Sequence, residues 1–175
     1  MEPLRGKKIL ILVEDLYEDL EGWYPKLRLL EAGAEVVVAG PEKKTYRGKN
    51  GNYPMPADCR VDEVNWEEFD AVIIPGGYAP DRLRCYDSVL KVVRAMGEAG
   101  RVIAPICHGA WVPISAGVVK GKRMTCYRTI KDDVINAGAV YEDKPVVVDG
   151  NMISSRFPAD LPDFLKAIIS KLKES

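Results

Sequence analysis

A chain of 175 residues with 47% hydrophobic side chains is long enough to bury one core without disulfides or metal, so a single domain over residues 1–175 is expected. Twenty-five basic side chains stand against 26 acidic ones, a net charge of −1. That balance lacks the electrostatic footprint of a nucleic-acid or anionic-membrane binder and favours a small-molecule or peptide substrate. Ahead of Glu14 and Asp15 the first apolar run spans only Ile9 to Val13, too short for a signal-peptide core or a membrane span, so a cytoplasmic protein is expected.

In chain order, strand-like and helix-like segments alternate. Lys8 to Val13 and Glu35 to Ala39 read as strands buried on both faces, as a parallel sheet requires. Between them Leu20, Trp23, Tyr24, Leu27, Leu29 and Leu30 give a helix-compatible stripe that ends near Gly33. The stretch from Gly40 to Asn52, rich in Gly, Lys and Tyr, is expected to be an exposed loop or short hairpin over one end of the sheet. Asp70 to Pro75 is a third strand, followed by a helix carrying Val89, Val92, Val93 and Met96 and stopping around Gly97 to Gly100. Val102 to Ile106 is the fourth strand, and Trp111 to Ala116 and Ile130 to Ala137 are short helices. Tyr141, Val146 to Val148 and Met152 to Ser154 read as short strands of a hairpin, and Leu161 to Leu172 closes the chain as an amphipathic helix. The whole predicts a three-layer α/β/α sandwich with a mostly parallel central sheet, flavodoxin-like in layout.

Ligands of such sheets bind outside the carboxyl ends of the strands. Three unusual segments fall there: the acidic run from Glu14 to Glu21, the turn Gly76-Gly77-Tyr78-Ala79-Pro80-Asp81, and Cys107-His108-Gly109 directly behind a strand. A thiol at a strand-to-helix elbow is held outside regular structure, and the following N–H points at whatever the sulfur attacks. The helix end is expected to lower the thiol pKa. His108 is the only histidine. Adjacent residues in a helix do not face each other, so its expected contribution is its backbone N–H, which together with that of Gly77 would form an oxyanion hole. One carboxyl group, Glu18 or Glu21, is expected to aim at the thiol; their spacing of three puts both on one helix face. Cys59, Cys85, Cys107 and Cys126 contain no C-x-x-C pair, so neither a zinc knuckle nor a dithiol motif is expected, and no metal or cofactor is assigned.

Ala104-Pro105-Ile106-Cys107-His108-Gly109, Pro75-Gly76-Gly77 with Ala79-Pro80-Asp81-Arg82, Tyr17-Glu18-Asp19-Leu20-Glu21, and Val146 to Asn151 with Ser154-Ser155-Arg156 resemble the ThiJ/PfpI family. The resemblance runs from about Lys7 to Leu165. It implies a class I glutamine-amidotransferase-like fold with Cys107 as nucleophile, Glu18 as the acid that contacts it, and His108 as the family's histidine. It further implies that Asp81, where the family usually has Glu, reaches His108 across a subunit interface in a dimer or hexamer, and that Tyr127 lines the pocket. Gly109-Ala110-Trp111 stands where PfpI-type members commonly have Gly-Pro-Gln, and Trp111 would narrow the pocket if it faced the cleft.

Two enzymatic readings follow. In the first, Cys107 adds to the aldehyde of glyoxal or methylglyoxal, or of an early adduct of these on an amine or thiol, as a glyoxalase or deglycase. In the second it attacks a peptide carbonyl, as an intracellular cysteine peptidase. A stress-response thiol sensor or chaperone is the third reading. The small-dicarbonyl reading is favoured, with Gly76, Glu21, Trp111 and Tyr127 as substrate-binding residues.

Overall fold

The computed structural model describes residues 2–51 and 53–175; Asn52, the end of the expected loop, lies outside them. β1 (Lys8–Leu12), α1 (Asp19–Glu31) and β2 (Glu35–Gly40) form the first βαβ unit, as the apolar pattern predicts. β3 (Thr45–Tyr46), inside the expected loop, pairs with β4 (Met55–Pro56), which lies just beyond it, and β5 (Cys59–Arg60) adds an edge strand beside β2. β6 (Ala71–Ile74), α2 (Ala79–Leu83), α3 (Asp87–Glu98), β7 (Val102–Pro105) and α4 (Trp111–Ala116) follow. The remainder comprises β8 (Arg123–Met124), α5 (Lys131–Asn136), β9 (Val140–Tyr141), β10 (Val146–Asp149), β11 (Met152–Ser155) and α6 (Leu161–Lys173).

The central sheet has the order β10-β11-β7-β6-β1-β2-β5, parallel throughout except for β10. Its parallel core, β2-β1-β6-β7-β11, is the flavodoxin-like order. The chain leaves β1 outward to β2 and returns to the other side of β1 at β6. Right-handed crossovers moving in opposite directions put α1 and α3 on opposite faces. α6 packs with α1, and α4 with α3. The reversal opens a crevice beyond the carboxyl ends of β1 and β6, with β7 alongside.

Two expectations need correction. Tyr141 does not join the β10–β11 hairpin; β9 pairs with β8 in a separate two-stranded parallel sheet, because the chain needs residues 142–145 to turn into β10. The apolar stripe of α1 is also only in part its core face: Leu29 is buried and Trp23 and Tyr24 pack half-buried against the core, but the rest of the stripe is not there. Glu21, Gly22, Pro25 and Leu29 are buried, whereas Leu20, Leu27 and Leu30 are exposed. The helix is rotated so that a carboxyl group faces the sheet, which an apolar-periodicity argument reads backwards. Among the described residues no helix is long and apolar enough to cross a membrane.

Candidate active site

The elbow begins where β7 ends. Ile106 is still extended (φ −126°, ψ 143°), Cys107 turns to φ +61°, and a 3-10 turn over Cys107–Ala110 runs into α4. A left-handed conformation costs a residue with a Cβ on the order of 1–3 kcal/mol. It is held by the backbone around it: Ile106 N–H donates to Ile74 O at 3.1 Å, and Tyr127 N–H to Cys107 O at 3.3 Å. Gly109 lies so close to β6 that a Cβ on it would sit 2.2 Å from Ile74 O. Among the described residues the other non-glycine with positive φ is Leu16, which also lines the cleft.

Around the sulfur, the backbone N–H groups of His108 and Gly77 favour the charged form of the thiol, and both residues line the cleft beside Cys107. Gly77 is at φ +78°, and a Cβ there would lie 2.5–2.8 Å from backbone atoms of residues 16–18, so only glycine lets the turn pack against that segment. The imidazole is closer than expected: Cys107 Sγ lies 3.3 Å from His108 Nδ1. The expectation assumed two helical neighbours, but the left-handed backbone at Cys107 swings its side chain to the histidine's side. The ring stacks on Tyr127 at 5.2 Å, meets Trp111 edge-on at 5.1 Å, and has Nε2 3.4 Å from Thr129 Oγ1. Burial, then the charge of Lys49, hold His108 below the ordinary histidine range, so the ring is neutral at neutral pH.

Glu21, rather than Glu18, is the carboxyl group at the thiol. It is fully buried; Oε2 accepts the Gly76 N–H at 2.7 Å, and Oε1 has no hydrogen-bond partner among the described residues. A Cβ on Gly76 would stand 2.6 Å from Oε2, 2.7 Å from Cys107 Cβ and 3.1 Å from Sγ, so the bare glycine is what lets acid and thiol meet. Burial above all, aided by the Glu18 charge, pushes Glu21 up to about 8. Glu18 turns away to Lys49, with Oε2 2.5 Å from Nζ. The helical spacing argument fails because α1 begins at Asp19 and Glu18 is the extended residue that caps it. The thiol also departs from expectation: burial, then the Glu21 carboxylate, push it up to about 12 despite the two N–H donors. One 3-10 turn and a six-residue helix supply too little dipole to offset burial.

These groups open into a cleft of about 1110 Å³. Trp111 faces it, as the narrowing argument requires, but its Nε1–H donates to Asp133 Oδ2 at 2.8 Å, which holds the ring against His108 at the side of the cavity. Tyr127 lines the wall and Asp81 the exposed rim, where no hydrogen bond joins Asp81 to His108 within the chain. Arg156, quoted above only as motif, spans the far wall between Asp160 (2.9 Å) and Asp143 (3.0 Å). Sequence reasoning missed Lys49 in the cleft and Thr129 beside the His108 ring, for neither of which there is a local pattern.

A strained thiol at the carboxyl edge of a doubly wound sheet, with two N–H donors and a buried acid against the sulfur, defines an α/β cysteine enzyme. The chain belongs to the DJ-1/PfpI family, whose model matches residues 7–171. It is 46% identical over 166 residues to Deglycase PfpI of Pyrococcus furiosus, covering 95% of this chain and 99% of that protein. It is 40% identical over 161 residues to Protein/nucleic acid deglycase 2 of Escherichia coli, covering 91% and 94% of the two. Among solved structures, a two-domain protein with DJ-1/ThiJ/PfpI-like and ferritin-like domains from Anabaena variabilis superposes with a TM-score of 0.93 at 44% identity, over 95% of this chain and 48% of that one.

Proposed function

We propose that this cysteine enzyme acts as a deglycase on early adducts of glyoxal or methylglyoxal, and on the free dicarbonyls, in the reducing cytoplasm. The observation that carries this reading is Glu21: a buried carboxyl group held up to about 8, with one oxygen unpartnered among the described residues, directly beside the thiol. Hydrolysis of an amide needs no such group between nucleophile and substrate. Conversion of an α-oxoaldehyde to a hydroxy acid does, because a proton must move between two carbons.

The sequence of events is as follows. Cys107 Sγ bonds to the aldehyde carbon, its proton passing to His108 Nδ1, and the new oxyanion takes the N–H groups of Gly77 and His108. An adduct is a carbinolamine or hemithioacetal: its C–N or C–S bond breaks as the hydroxyl becomes a carbonyl, the amine or thiol leaves with the hydroxyl proton, and Sγ adds to the aldehyde so released. Glu21, ionised for this step, removes the proton from the former aldehyde carbon and returns one to the neighbouring carbon through an enediol, which turns the hemithioacetal into a thioester. Water then cleaves the thioester to a 2-hydroxy acid and restores the thiol, so the net change is addition of one water and no external oxidant is needed. A cleft of about 1110 Å³ has room for the lysine or cysteine side chain that carries an adduct, and Trp111 and Tyr127 would hold that chain.

Purified wild-type protein is expected to release amine and lactate from a methylglyoxal adduct of N-acetyl-lysine and to leave an unfolded casein substrate intact, read by NMR and by gel. Cleavage of casein with no lactate formed would overturn the reading in favour of the peptidase. Asp81 on the exposed rim is further proposed to complete His108 in a dimer or hexamer. Light scattering is expected to show that assembly in wild type and a smaller species in Asp81→Lys; an unchanged assembly would remove Asp81 from the interface.

A further inference from the structure

Lys49 is a cleft cation for which the reaction above has no use. It stands on the loop between β3 and β4, which Tyr17 and Asp19, at the entry to α1, clamp at several points. Lys49 N–H donates to Tyr17 O at 2.9 Å, Asn50 donates to Asp19 Oδ2 from both backbone and side chain at 3.1 Å, and Tyr17 O–H donates to Tyr53 O at 2.6 Å. Gly48 runs so tightly along Asp19 that a Cβ on it would lie 2.2 Å from Oδ1. A loop built this way fixes where its lysine goes. Nζ is in the cleft with Glu18 Oε2 at 2.5 Å, and the side chain keeps 37% of its exposure against 9% for Glu18.

We propose that Lys49 is the cation that balances the Cys107 thiolate, and that Glu18 acts on the reaction only by holding Lys49. This rests on Cys107 as the nucleophile. The remaining charged groups leave no better candidate. From α1 and the residue before it, Glu21 and Glu18 are acids; from the elbow, His108 is neutral at neutral pH. Across the cleft, Arg156 is committed to Asp143 and Asp160. Asp81 and Arg82 sit side by side on the exposed rim, where solvent screens them, and Arg128 is exposed. The buried thiol of Cys126 brings no positive charge. Lys49 thus remains, with part of its charge already drawn toward Glu18. The two residues form a graded device: the lysine favours the thiolate, and the glutamate limits how strongly.

Opposite signs test this. The pH dependence of Cys107 alkylation by iodoacetamide, followed by mass spectrometry of the Cys107 peptide so that exposed Cys85 does not interfere, needs no substrate. It therefore fails or succeeds independently of the deglycase assay. In Lys49→Met the alkylation midpoint is expected to rise by about 1 pH unit, with a roughly tenfold slower reaction at pH 7. In Glu18→Gln it is expected to fall and the reaction to quicken. Lys49→Arg should stay near wild type, and the double variant should match Lys49→Met, because without the lysine Glu18 has nothing to hold. A structural role alone would move both single variants in the same direction. That outcome, or no movement in either, overturns the proposal. If Lys49→Met does not fold, Glu18→Gln decides alone: slower or unchanged alkylation overturns it.

Discussion

Replacement of Cys107 by Ala is expected to abolish methylglyoxal consumption and adduct repair altogether while leaving the far-UV spectrum and melting temperature close to wild type. The loss is total because every covalent step passes through Sγ, and no other thiol shares its surroundings: Cys59 and Cys85 lie outside the cleft lining, and Cys126 lacks the two N–H donors and the buried acid. Stability is expected to change by only about 1 kcal/mol, since alanine keeps the Cβ and the left-handed backbone and removes one sulfur atom from the packing. Residual turnover in Cys107→Ala would place the nucleophile elsewhere. A collapsed melting transition would instead mean that the thiol helps hold the elbow, and Cys107→Ser would then be the variant to assay.

Much of this was legible in the chain. Buried parallel strands need unbroken apolar runs, and Ile9 to Val13, Val36 to Ala39, Val72 to Ile74 and Val102 to Ile106 have them, so the sheet and the crevice at its carboxyl edge followed from sequence. Cys107, Gly76 and Gly77 converged there because topology alone brings strand ends together. What stayed hidden depends on side-chain direction over distances the sequence does not encode. Glu18 and Glu21 are equally acidic and three apart; only the start of α1 at Asp19 decides which one is rotated under Gly76. The approach of His108 to the thiol turns on a single positive φ at Cys107, where the residue type gives no warning. Lys49 lay in a stretch whose composition reads as exposed loop, and its role emerges only from what Asp19 and Tyr17 hold in place.

Glu21→Gln is expected to lower kcat about 10²–10³-fold with little change in KM, the scale of losing a positioned acid–base group. Glutamine keeps the size and can still meet Gly76 N–H through its carbonyl oxygen, so the loss isolates proton transfer. The wild-type rate should also carry an ionisation near 8 that the variant lacks. Stability gives an independent reading. Because Glu21 is raised from 4.5 to about 8 by the fold, its ionisation opposes folding: below pH 4.5 it is neutral in both states and costs nothing, and the cost grows as pH rises toward 8. Wild type should therefore lose stability relative to Glu21→Gln by on the order of 3–5 kcal/mol across that window. The measurement is the melting temperature of both proteins at matched ionic strength from pH 4.5 to 8. Parallel curves would mean that Glu21 ionises as freely in the fold as in the open chain. The carboxylate beside Cys107 would then be no stronger a base than a free one, and the proton shift from carbon to carbon would need another group.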